Sequence, residues 1–460
     1  MYEDLNTECG ILGFFSHSKT NLFKNHIEGL QSIQHRGQES CGISFYHNDN
    51  IITISDIGLV KDIFSEYDVN TLYKNYGNIS SIIGHVRYST SGKKKFNKNY
   101  IQPICSRLKN NKSYSIAFNG NIPLIHKLYS DIEVDTHGLI KFIKNTSNYM
   151  KQNLIKLQNM IPGVFCILIL VDDEIYILRD RYGVRPLSIG TSEGIYCVSS
   201  ETDTMNKLGY KTLRDVHPGE IIKLGQNSIE TIYRLDESFD KMHCLFEYIY
   251  FLRPTSESDG TLASNFRERC GKQLVWNDSE FIATLDRINT VVVGCPNSGI
   301  CAGKAYSHEA DLPYRQVINK NDQGRTFILG NQEDRINALK TKYQFEPENI
   351  KNKIIIIVDD SVVRGNTLKI LLEQINNLNP REIHIRVASP PVISQCYYGI
   401  DIPTKEELIY YKLINENNMK SYYNVNSFKY LSIEDTVKHI EGRTCKSCFT
   451  GKYNSKLLDW

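Results

Sequence analysis

Short apolar or alternating runs dominate the chain between residues 9 and about 235. CGILGFF (9–15), SIIGHVRYS (81–89) and EIYILRD (174–180) are three of them, and Gly, Asn and Asp separate many of these runs. Such spacing is typical of antiparallel sheets. A helical period intervenes over 137–157. The pattern therefore predicts an α+β domain over residues 9–235.

A different pattern begins at about residue 260. TVVVGC (290–295), KIIIIVDD (353–360) and EIHIRVAS (382–389) are rich in β-branched residues and have the composition of buried strands. Turns and helix-like segments follow the first two, which predicts an α/β domain with a parallel sheet over residues 260–410. Ligands of such sheets bind at the carboxyl ends of the strands. Residues 411–460 are the C-terminal region, which contains Cys445 and Cys448.

Length, charge and cysteine content limit the classes of function that the chain can have. The chain has 460 residues, of which 23% are charged and 41% apolar, and its net charge is +2. This length suits two or three domains, and the small net charge without a basic stripe argues against nucleic acid as a partner. No apolar run is long enough to cross a membrane, and the acidic start lacks the basic region of a secretion signal. Twelve cysteines without such a signal predict reduced thiols in the cytoplasm.

The stretch IIIIVDDSVVRGNT (354–367) joins an apolar strand, two adjacent acids and a helix start. Free backbone N–H groups and the helix dipole at that start suit a phosphate, and Gly365 permits its close approach. The carboxylates of Asp359 and Asp360 would repel that phosphate, so we expect them to face ribose hydroxyls or a metal ion. A phosphorylated sugar satisfies both requirements.

This arrangement resembles the signature of the type I phosphoribosyltransferases, and the chain has no P-loop motif of the GxxxxGK[ST] type. The resemblance implies that this stretch binds phosphoribosyl pyrophosphate (PRPP), with help from a separate loop. The implied PRPP-binding residues are Asp359, Asp360, Ser361, Val362, Val363, Arg364, Gly365, Asn366 and Thr367, with Lys320 and Arg325 from the loop.

Cys9 stands immediately before a glycine and an apolar strand, where a cysteine is ordinarily a core residue. Four other stretches change this interpretation: QHRGQES (34–40), GHVRYSTSG (84–92), FNGNI (118–122) and VDTHG (134–138). Together with Cys9 they resemble the class II glutamine amidotransferases. The resemblance implies an N-terminal nucleophile fold, in which two sheets lie between two helical layers.

The same resemblance implies a role for each matching residue. Cys9 is the implied nucleophile, and its own α-amine, with an ordinary pKa of about 7.7–8.0, is the general base. Asn119 and the N–H of Gly120 are the implied oxyanion hole. The implied glutamine-binding residues are Arg36, Gly37, Arg87 and Asp135.

A free amine at Cys9 requires removal of the segment before it, MYEDLNTE (1–8). The resemblance therefore implies that residues 1–8 are a propeptide removed by self-processing.

A glutaminase domain followed by a phosphoribosyltransferase domain resembles one family over nearly all of residues 2–460, the glutamine-dependent PRPP amidotransferases. Specific matches include RDRYGVRPLSIG (179–190), CLFEYIYFLRPTS (244–256) and CYYGIDIPTKEELI (396–409). The implied activity converts PRPP and glutamine to 5-phosphoribosylamine, glutamate and pyrophosphate. This is the first committed step of de novo purine synthesis, and ammonia passes internally between the two sites.

The resemblance also implies ligands and partners. Mg²⁺ is expected to neutralise the departing pyrophosphate, with Ser298, Asp359 and Asp360 as its protein-side ligands. Purine nucleotides such as AMP and GMP are implied as feedback inhibitors at the phosphate loop and an adjacent site. The implied assembly is a homotetramer or a homodimer.

One departure from the family pattern leaves another function open. In VINKNDQGRTFI (317–328), Asp322 and Gln323 replace a basic residue and its neighbour, and one residue is missing. This loop is expected to close over the substrate, so a lost cation would weaken pyrophosphate binding. The alternative is therefore a catalytically weak regulator that senses PRPP on the same fold. A sugar-phosphate aminating enzyme is disfavoured, because the second half has VDDSVVRGNT and no sugar-isomerase repeats.

Two cysteines near the end, Cys445 and Cys448, form a CxxC pair. Such a pair is compatible with a redox dithiol, half of a zinc site or part of an iron–sulfur site. The family resemblance adds Cys244 and Cys396, which match positions where one branch of the family ligates a [4Fe–4S] cluster. It therefore implies a structural cluster held by these four cysteines.

We predict that the active protein begins at Cys9, because the nucleophile needs its own free α-amine as a base. Mass spectrometry of the purified active protein should find the chain without residues 1–8. Full glutaminase activity in a preparation that retains Met1 would contradict this prediction.

Overall fold

The structure is a computed structural model, and it describes residues 9–88, 98–226, 228–235, 241–320, 343–402 and 404–458. Two antiparallel sheets occupy the first half of the chain. Their strands are β1 (Gly10–Thr20), β2 (Ser40–His47), β3 (Asn50–Ile57), β4 (Ile79–Arg87), β5 (Ile104–Arg107), β6 (Ser113–Asn121), β7 (Val164–Val171), β8 (Glu174–Arg179), β9 (Ser188–Ser192), β10 (Ile195–Ser199), β11 (Lys211–Asp215), β12 (Glu220–Gly225) and β13 (Ser228–Arg234).

The two sheets divide these strands between them. A seven-stranded sheet has the order β11–β9–β10–β1–β4–β2–β3, and a six-stranded sheet has the order β13–β12–β8–β7–β6–β5. Neighbouring strands run antiparallel in both. The predicted antiparallel first domain is therefore confirmed.

Side chains of β1 alternate between two buried layers, because successive residues of a strand point to opposite faces. Ile11 and Phe15 belong to the apolar layer between the sheets, whereas Leu12 and Phe14 pack in the layer under the outer helices. A strand that is buried on both faces has a continuous apolar sequence, which accounts for CGILGFF.

Helices cover the outer face of each sheet. Those over the seven-stranded sheet are α1 (Phe23–Ser32), α2 (Val60–Ile63), α3 (Glu66–Tyr76) and α7 (Thr202–Lys207). Those over the six-stranded sheet are α4 (Ile125–Leu128), α5 (Asp135–Thr146) and α6 (Met150–Met160). The result is the predicted sandwich of two sheets between two helical layers.

The predicted helical segment 137–157 is two helices, because α5 ends before Ser147. Ser147 is extended, with φ −151° and ψ 164°. Its hydroxyl accepts the Tyr149 N–H at 3.2 Å, and its carbonyl accepts the Asn153 side-chain amide at 2.9 Å. Ser and Asn side chains that bond to nearby backbone compete with helix formation, so the NTSN sequence interrupts the helix.

A parallel sheet forms the centre of the second half. Its strands are β17 (Thr290–Gly294), β20 (Ile354–Asp359), β21 (Glu382–Val387) and β22 (Ser427–Tyr430), in that spatial order. The short strands around it are β14 (His243–Cys244), β15 (Glu257–Ser258), β16 (Thr261–Leu262), β18 (Ile318–Lys320), β19 (Tyr343–Phe345) and β23 (Thr444–Cys445). The three predicted strands are confirmed, and β22 extends the sheet by a further strand.

Helices pack on both faces of this sheet. They are α8 (Ala263–Asn277), α9 (Ser279–Ala283), α10 (Ile300–Glu309), α11 (Asn366–Asn376), α12 (Ile409–Leu413), α13 (Glu416–Tyr423), α14 (Ile433–Val437), α15 (Ser447–Thr450) and α16 (Ser455–Leu458), with a π-helical turn at Glu247–Phe251. Ile356 packs with α8 and α10 on one face, and Ile355 packs with α11 on the other. The predicted parallel α/β domain is confirmed.

Two candidate active sites

Cys9 lies at the entrance to β1, where its thiol is partly buried. The thiol donates to the Tyr88 carbonyl at 3.5 Å. Burial raises the pKa of Cys9, and the nearby Arg87 cation partly opposes this rise. Most of the thiol is therefore protonated near neutral pH, so nucleophilic attack requires a base to remove its proton.

Arg36 lies beneath the backbone of Cys9. Its fully buried guanidinium donates to Glu201 at 2.8 Å and to Glu247 at 2.7 Å. Its Nε donates to the Cys9 carbonyl at 3.4 Å. Burial lowers the pKa of Arg36, but the two carboxylates raise it more, so the charge is retained. These contacts hold the nucleophile's backbone in place.

Arg87 and Asp135 carry the opposite charges expected of a glutamine-binding pocket. Arg87 ends β4 and donates to Glu39 at 3.0 Å. A Cβ on Gly37 would lie 2.6 Å from the Arg87 backbone nitrogen, so only glycine allows the turn to approach this strand end. Asp135 begins α5 and accepts the Ile122 N–H at 2.7 Å. Burial raises the pKa of Asp135 to about 6, so it is still mostly ionised at neutral pH.

Asn119 and Gly120 lie near the end of β6. Asn119 is 2% exposed, and among the described residues its side-chain Nδ2 has no hydrogen-bond partner. Gly120 has φ +155°, and a Cβ there would lie 2.0 Å from the Val164 carbonyl oxygen. A buried donor without a partner is costly, and it suits a site where an oxyanion forms during reaction.

His85 is close to these groups but does not serve as a base in this arrangement. Its Nε2 lies 3.0 Å from the Phe118 carbonyl oxygen. Burial lowers the pKa of His85 to about 3. The ring is therefore neutral, and its described hydrogen bond connects β4 to β6.

The second candidate site lies at the carboxyl end of β20. Asp359 is partly exposed and Asp360 is 4% exposed. One oxygen of Asp359 accepts the Asp360 N–H at 3.0 Å, and Asp360 accepts the Ser361 hydroxyl at 2.5 Å. Two acids are thus fixed at the strand end where ligands of parallel sheets bind.

The turn after β17 approaches the same strand end. The Cys295 N–H donates to the Val358 carbonyl at 2.8 Å. A Cβ on Gly299 would lie 2.6 Å from that carbonyl oxygen, so glycine permits the approach. Ser298 belongs to this turn and is partly exposed.

The loop between Ser361 and α11 has the form of a phosphate cradle. Val362 and Val363 bury their side chains in two different apolar clusters, which leaves only their backbone groups to face a ligand. Gly365 is left-handed, with φ +82°, and its carbonyl accepts the Tyr423 hydroxyl at 2.9 Å. Arg364 donates to Glu407 at 3.3 Å.

Other predicted contacts of this site fall wholly or partly outside the described residues. Lys320 ends β18, and only its backbone is described. Arg325 lies outside the described residues, and so does the Asp322–Gln323 departure.

The four cysteines of the predicted cluster come from three segments of the chain. Cys244 and Cys445 are direct partners in the parallel pair β14–β23. The Cys448 carbonyl accepts the N–H groups of Ile393 and Ser394 at 2.9 and 3.0 Å, which brings the segment of Cys396 alongside. Burial raises the pKa of Cys448 well above its ordinary value, and the neighbouring Cys396 and Cys445 raise it further. The thiols are therefore within electrostatic reach of one another.

Comparisons with known proteins agree with this two-site architecture. Residues 87–207 match the glutamine amidotransferase domain model, and residues 277–395 match the phosphoribosyl transferase domain model. The amidophosphoribosyltransferase of Methanothermobacter thermautotrophicus is 34% identical, covering 99% of this chain and 96% of its own. The chain belongs to the amidophosphoribosyltransferase family. It is thus a phosphoribosyltransferase with a glutamine amidotransferase domain, and it belongs with the enzymes that begin purine biosynthesis.

Other relatives cover nearly the full length of this chain. The amidophosphoribosyltransferase of Bacillus subtilis is 32% identical, covering 98% of this chain and 95% of its own. A solved structure of the B. subtilis glutamine PRPP amidotransferase, complexed with ADP and GMP, superposes with a TM-score of 0.84 at 30% identity, covering 97% of each chain. A structure titled as the allosteric regulatory enzyme of purine biosynthesis gives a TM-score of 0.85 at 30% identity, covering 97% of this chain and 96% of its own.

The sequence analysis missed the two acids that hold Arg36. Glu201 and Glu247 are buried, with 1% and 2% exposure. The available signal was an acid within an apolar run, FEYIYF (246–251), because such a position is seldom buried without a charged partner. The partner itself is more than 160 residues away and is brought close only by the fold.

Within the described part of the chain, no helix is both long and apolar enough to cross a bilayer.

We predict that Asn119→Ala lowers kcat for glutamine hydrolysis by about 10²–10³-fold, because it removes a donor to the oxyanion. The KM for glutamine should stay within about twofold, since the donor acts chiefly in the transition state. Steady-state release of glutamate measures both constants.

A suitable control is Asn153→Ala in α6. Asn153 is also fully buried, but its amide donates to the Ser147 carbonyl and not toward Cys9. Similar kcat losses in the two variants would contradict the assignment of Asn119.

Proposed function

We propose that the chain catalyses the glutamine-dependent conversion of PRPP to 5-phosphoribosylamine, glutamate and pyrophosphate, as the first committed step of purine synthesis. The observation that carries this proposal is the pairing, in one chain, of a nucleophile site at Cys9 with a diacid and phosphate loop after β20. A glutaminase alone would not need the phosphate loop, and a phosphoribosyltransferase alone would not need the nucleophile.

At the first site the proposed chemistry is acyl transfer. The sulfur of Cys9 attacks the side-chain carbonyl carbon of glutamine after its proton passes to the free α-amine. Asn119 Nδ2 and the Gly120 N–H donate to the resulting oxyanion. As the C–N bond breaks, the protonated α-amine returns its proton to the departing nitrogen, which leaves as ammonia. Water then hydrolyses the remaining thioester to glutamate. Arg87 and Asp135 hold the α-carboxylate and α-ammonium of glutamine.

At the second site the proposed chemistry is displacement at C1 of PRPP. Ammonia forms the new C1–N bond as the C1–O bond to pyrophosphate breaks. The backbone N–H groups of residues 361–367 face the 5-phosphate, and Asp359 and Asp360 face the ribose hydroxyls. Water would convert ammonia to ammonium, which is not a nucleophile, so internal passage between the sites preserves reactivity.

The residues at this strand end suit Mg²⁺. Asp359, Asp360 and Ser298 supply carboxylate and hydroxyl oxygens, which are the ligands that Mg²⁺ prefers. When bound, Mg²⁺ would neutralise charge on the departing pyrophosphate. The fixed turn at Gly299 and the hydrogen bond within the acid pair preorganise these oxygens.

The cysteine set suits a [4Fe–4S] cluster, and we propose one held by Cys244, Cys396, Cys445 and Cys448. The β14–β23 pair and the backbone bonds to Cys448 bring the three segments together. Cys244, Cys445 and Cys448 share an apolar cluster with Phe246 and Phe449, whose ring centroids are 5.8 Å apart.

Four cysteine thiolates can hold either a zinc ion or a [4Fe–4S] cluster. The resemblance to the family's cluster-ligand positions at all four cysteines supports the cluster. The cluster's proposed role is structural, since the reaction transfers no electrons.

Four further features belong to this proposal. Residues 1–8 are a propeptide, because the Cys9 amine must be free. Purine nucleotides such as AMP and GMP inhibit by occupying the phosphate loop and an adjacent site. The assembly is a homotetramer or a homodimer. The location is the cytoplasm, which the twelve free cysteines support.

We predict that anaerobically purified protein forms phosphoribosylamine from PRPP, glutamine and Mg²⁺, with one glutamate and one pyrophosphate per turnover. Cys9→Ala should abolish the glutamine-dependent reaction but leave the ammonia-dependent one, because only the first site needs the thiol. A coupled assay of phosphoribosylamine measures both reactions.

The control is Cys105→Ala, which alters an exposed thiol outside both sites. Binding of PRPP without phosphoribosylamine formation from either nitrogen source would favour the regulator instead.

We predict that Cys448→Ser removes most of the iron and acid-labile sulfide, about four of each per chain in the unaltered protein. Metal analysis and visible absorbance measure this without reference to activity. Cys270→Ser is the matched control, because Cys270 is also buried, at 1% exposure against 7% for Cys448, but lies in α8. Absence of iron and sulfide from the unaltered protein would overturn the cluster.

A further inference from the structure

One segment of the second half contacts both candidate active sites. We name it the connector and define it as the described residues 396–402 and 404–409. It begins at Cys396 and ends at the first residue of α12. The family match along CYYGIDIPTKEELI assigns a cluster ligand to its first residue and no role to the others.

The amino-terminal end of the connector lies against the proposed oxyanion hole. The side-chain amide of Asn121 donates to the Tyr397 carbonyl at 2.7 Å. Asn121 ends β6, two residues after Asn119. Gly399 has φ +100°, and a Cβ there would lie 3.1 Å from the Gly120 carbonyl carbon. The backbone of the connector thus packs directly on the glycine of the oxyanion hole.

The same end also reaches the nucleophile through buried charges. The Tyr398 carbonyl accepts from Arg185 at 2.7 Å, and Arg185 lies 3.5 Å from Glu247. Glu247 in turn accepts from Arg36, which donates to the Cys9 carbonyl. Two separate routes therefore run from the connector to the first site.

The carboxyl-terminal end of the connector lies against the phosphate loop. The Ile409 N–H donates to the Val363 carbonyl at 2.9 Å. Glu407 accepts from Arg364 at 3.3 Å, and the Arg364 side chain is 11% exposed. A shift of this end would therefore move the backbone that faces the phosphate.

The connector has little freedom to bend between its two ends. Ile400, Ile402 and Leu408 are 3%, 5% and 0% exposed and belong to the same apolar cluster. Close-packed interiors transmit displacement because they contain few voids. The shared cluster therefore holds the two ends in a fixed relation.

We propose that the connector holds the oxyanion hole and the phosphate loop in a fixed position relative to each other. Asn121 and Glu407 are the positioning residues for the two reactions. The inference rests on the proposed function. Neither residue touches the reacting atoms, and each acts through the backbone that it holds.

The first test uses Asn121→Asp, which keeps the side-chain size. It replaces the amide that donates to the Tyr397 carbonyl by a carboxylate, which cannot donate. We expect kcat for glutamine hydrolysis to fall at least tenfold while the KM for glutamine stays within twofold, because the oxyanion donors are displaced. Ammonia-dependent phosphoribosylamine formation should stay within twofold, which also shows that the variant is folded. Asn121→Ala is the second variant if the aspartate prevents folding.

The control for this test is Asn110→Ala. Asn110 makes the same kind of bond, from its amide to the Asn148 carbonyl at 3.2 Å, on the exposed side of the first domain. An unchanged kcat in both Asn121 variants, or a loss in KM alone, overturns the role of Asn121.

The second test joins the two ends in a double-mutant cycle of Asn121→Ala and Glu407→Gln. Effects of distant residues without shared partners multiply to within about twofold. We expect the combined effect on kcat/KM for glutamine-dependent synthesis to depart from the product of the single effects by at least fivefold. The control cycle uses Glu406→Gln, an exposed neighbour of Glu407 in the same turn.

Each outcome of the cycle decides the proposal. A departure from the product of the single effects that occurs in the Glu407 cycle but not in the Glu406 cycle supports the proposal. A multiplicative result in the Glu407 cycle overturns it. Loss of synthesis from both glutamine and ammonia in the unaltered protein overturns the proposed function instead. In that case glutamate release by the Asn121 variants still tests the first end of the connector.

Discussion

The buried ion pairs around Arg36 are the constraint on which the rest of the molecule depends. Two arginines and two glutamates, Arg36, Arg185, Glu201 and Glu247, are each nearly or fully buried. Removing charges from water costs several kcal/mol per ion, and only complete pairing with good hydrogen bonds offsets this. Loss of a single member would leave a buried charge uncompensated, at a cost of about 3–5 kcal/mol. The network therefore forms only when both halves of the chain are folded together.

This requirement explains where the network lies. Arg36 and Arg185 come from the glutaminase half, and Glu247 comes from the π-helical turn that begins the second half. Without the second half, Arg36 and Arg185 would lack this acid. Tertiary packing thus links the support of the nucleophile's backbone to the presence of the phosphoribosyltransferase half.

The sequence predicted those features whose causes are local. Strands appeared because a residue buried on both sheet faces must be apolar, as in CGILGFF, and the phosphate loop appeared because Gly365 and its hydroxyl neighbours adjoin an apolar strand. The split of 137–157 into two helices also has a local cause, in the competing hydrogen bonds of Ser147. The NTSN sequence indicates this cause, but the helical period of the segment favoured the prediction of one continuous helical segment.

Contacts between residues that are far apart in the chain could not be predicted from the sequence. Nothing near Asn121 indicates the Tyr397 carbonyl, which lies 276 residues further along the chain. A backbone carbonyl carries no side-chain signature, so a contact with it leaves no mark in composition or spacing. The same applies to the Val363 carbonyl under Ile409. The residues that perform the chemistry were therefore recognisable by type, whereas those that hold them in place emerged only from the geometry. This difference is physical: a reacting group must have a particular chemistry, but a supporting group needs only a donor or an acceptor at the right place.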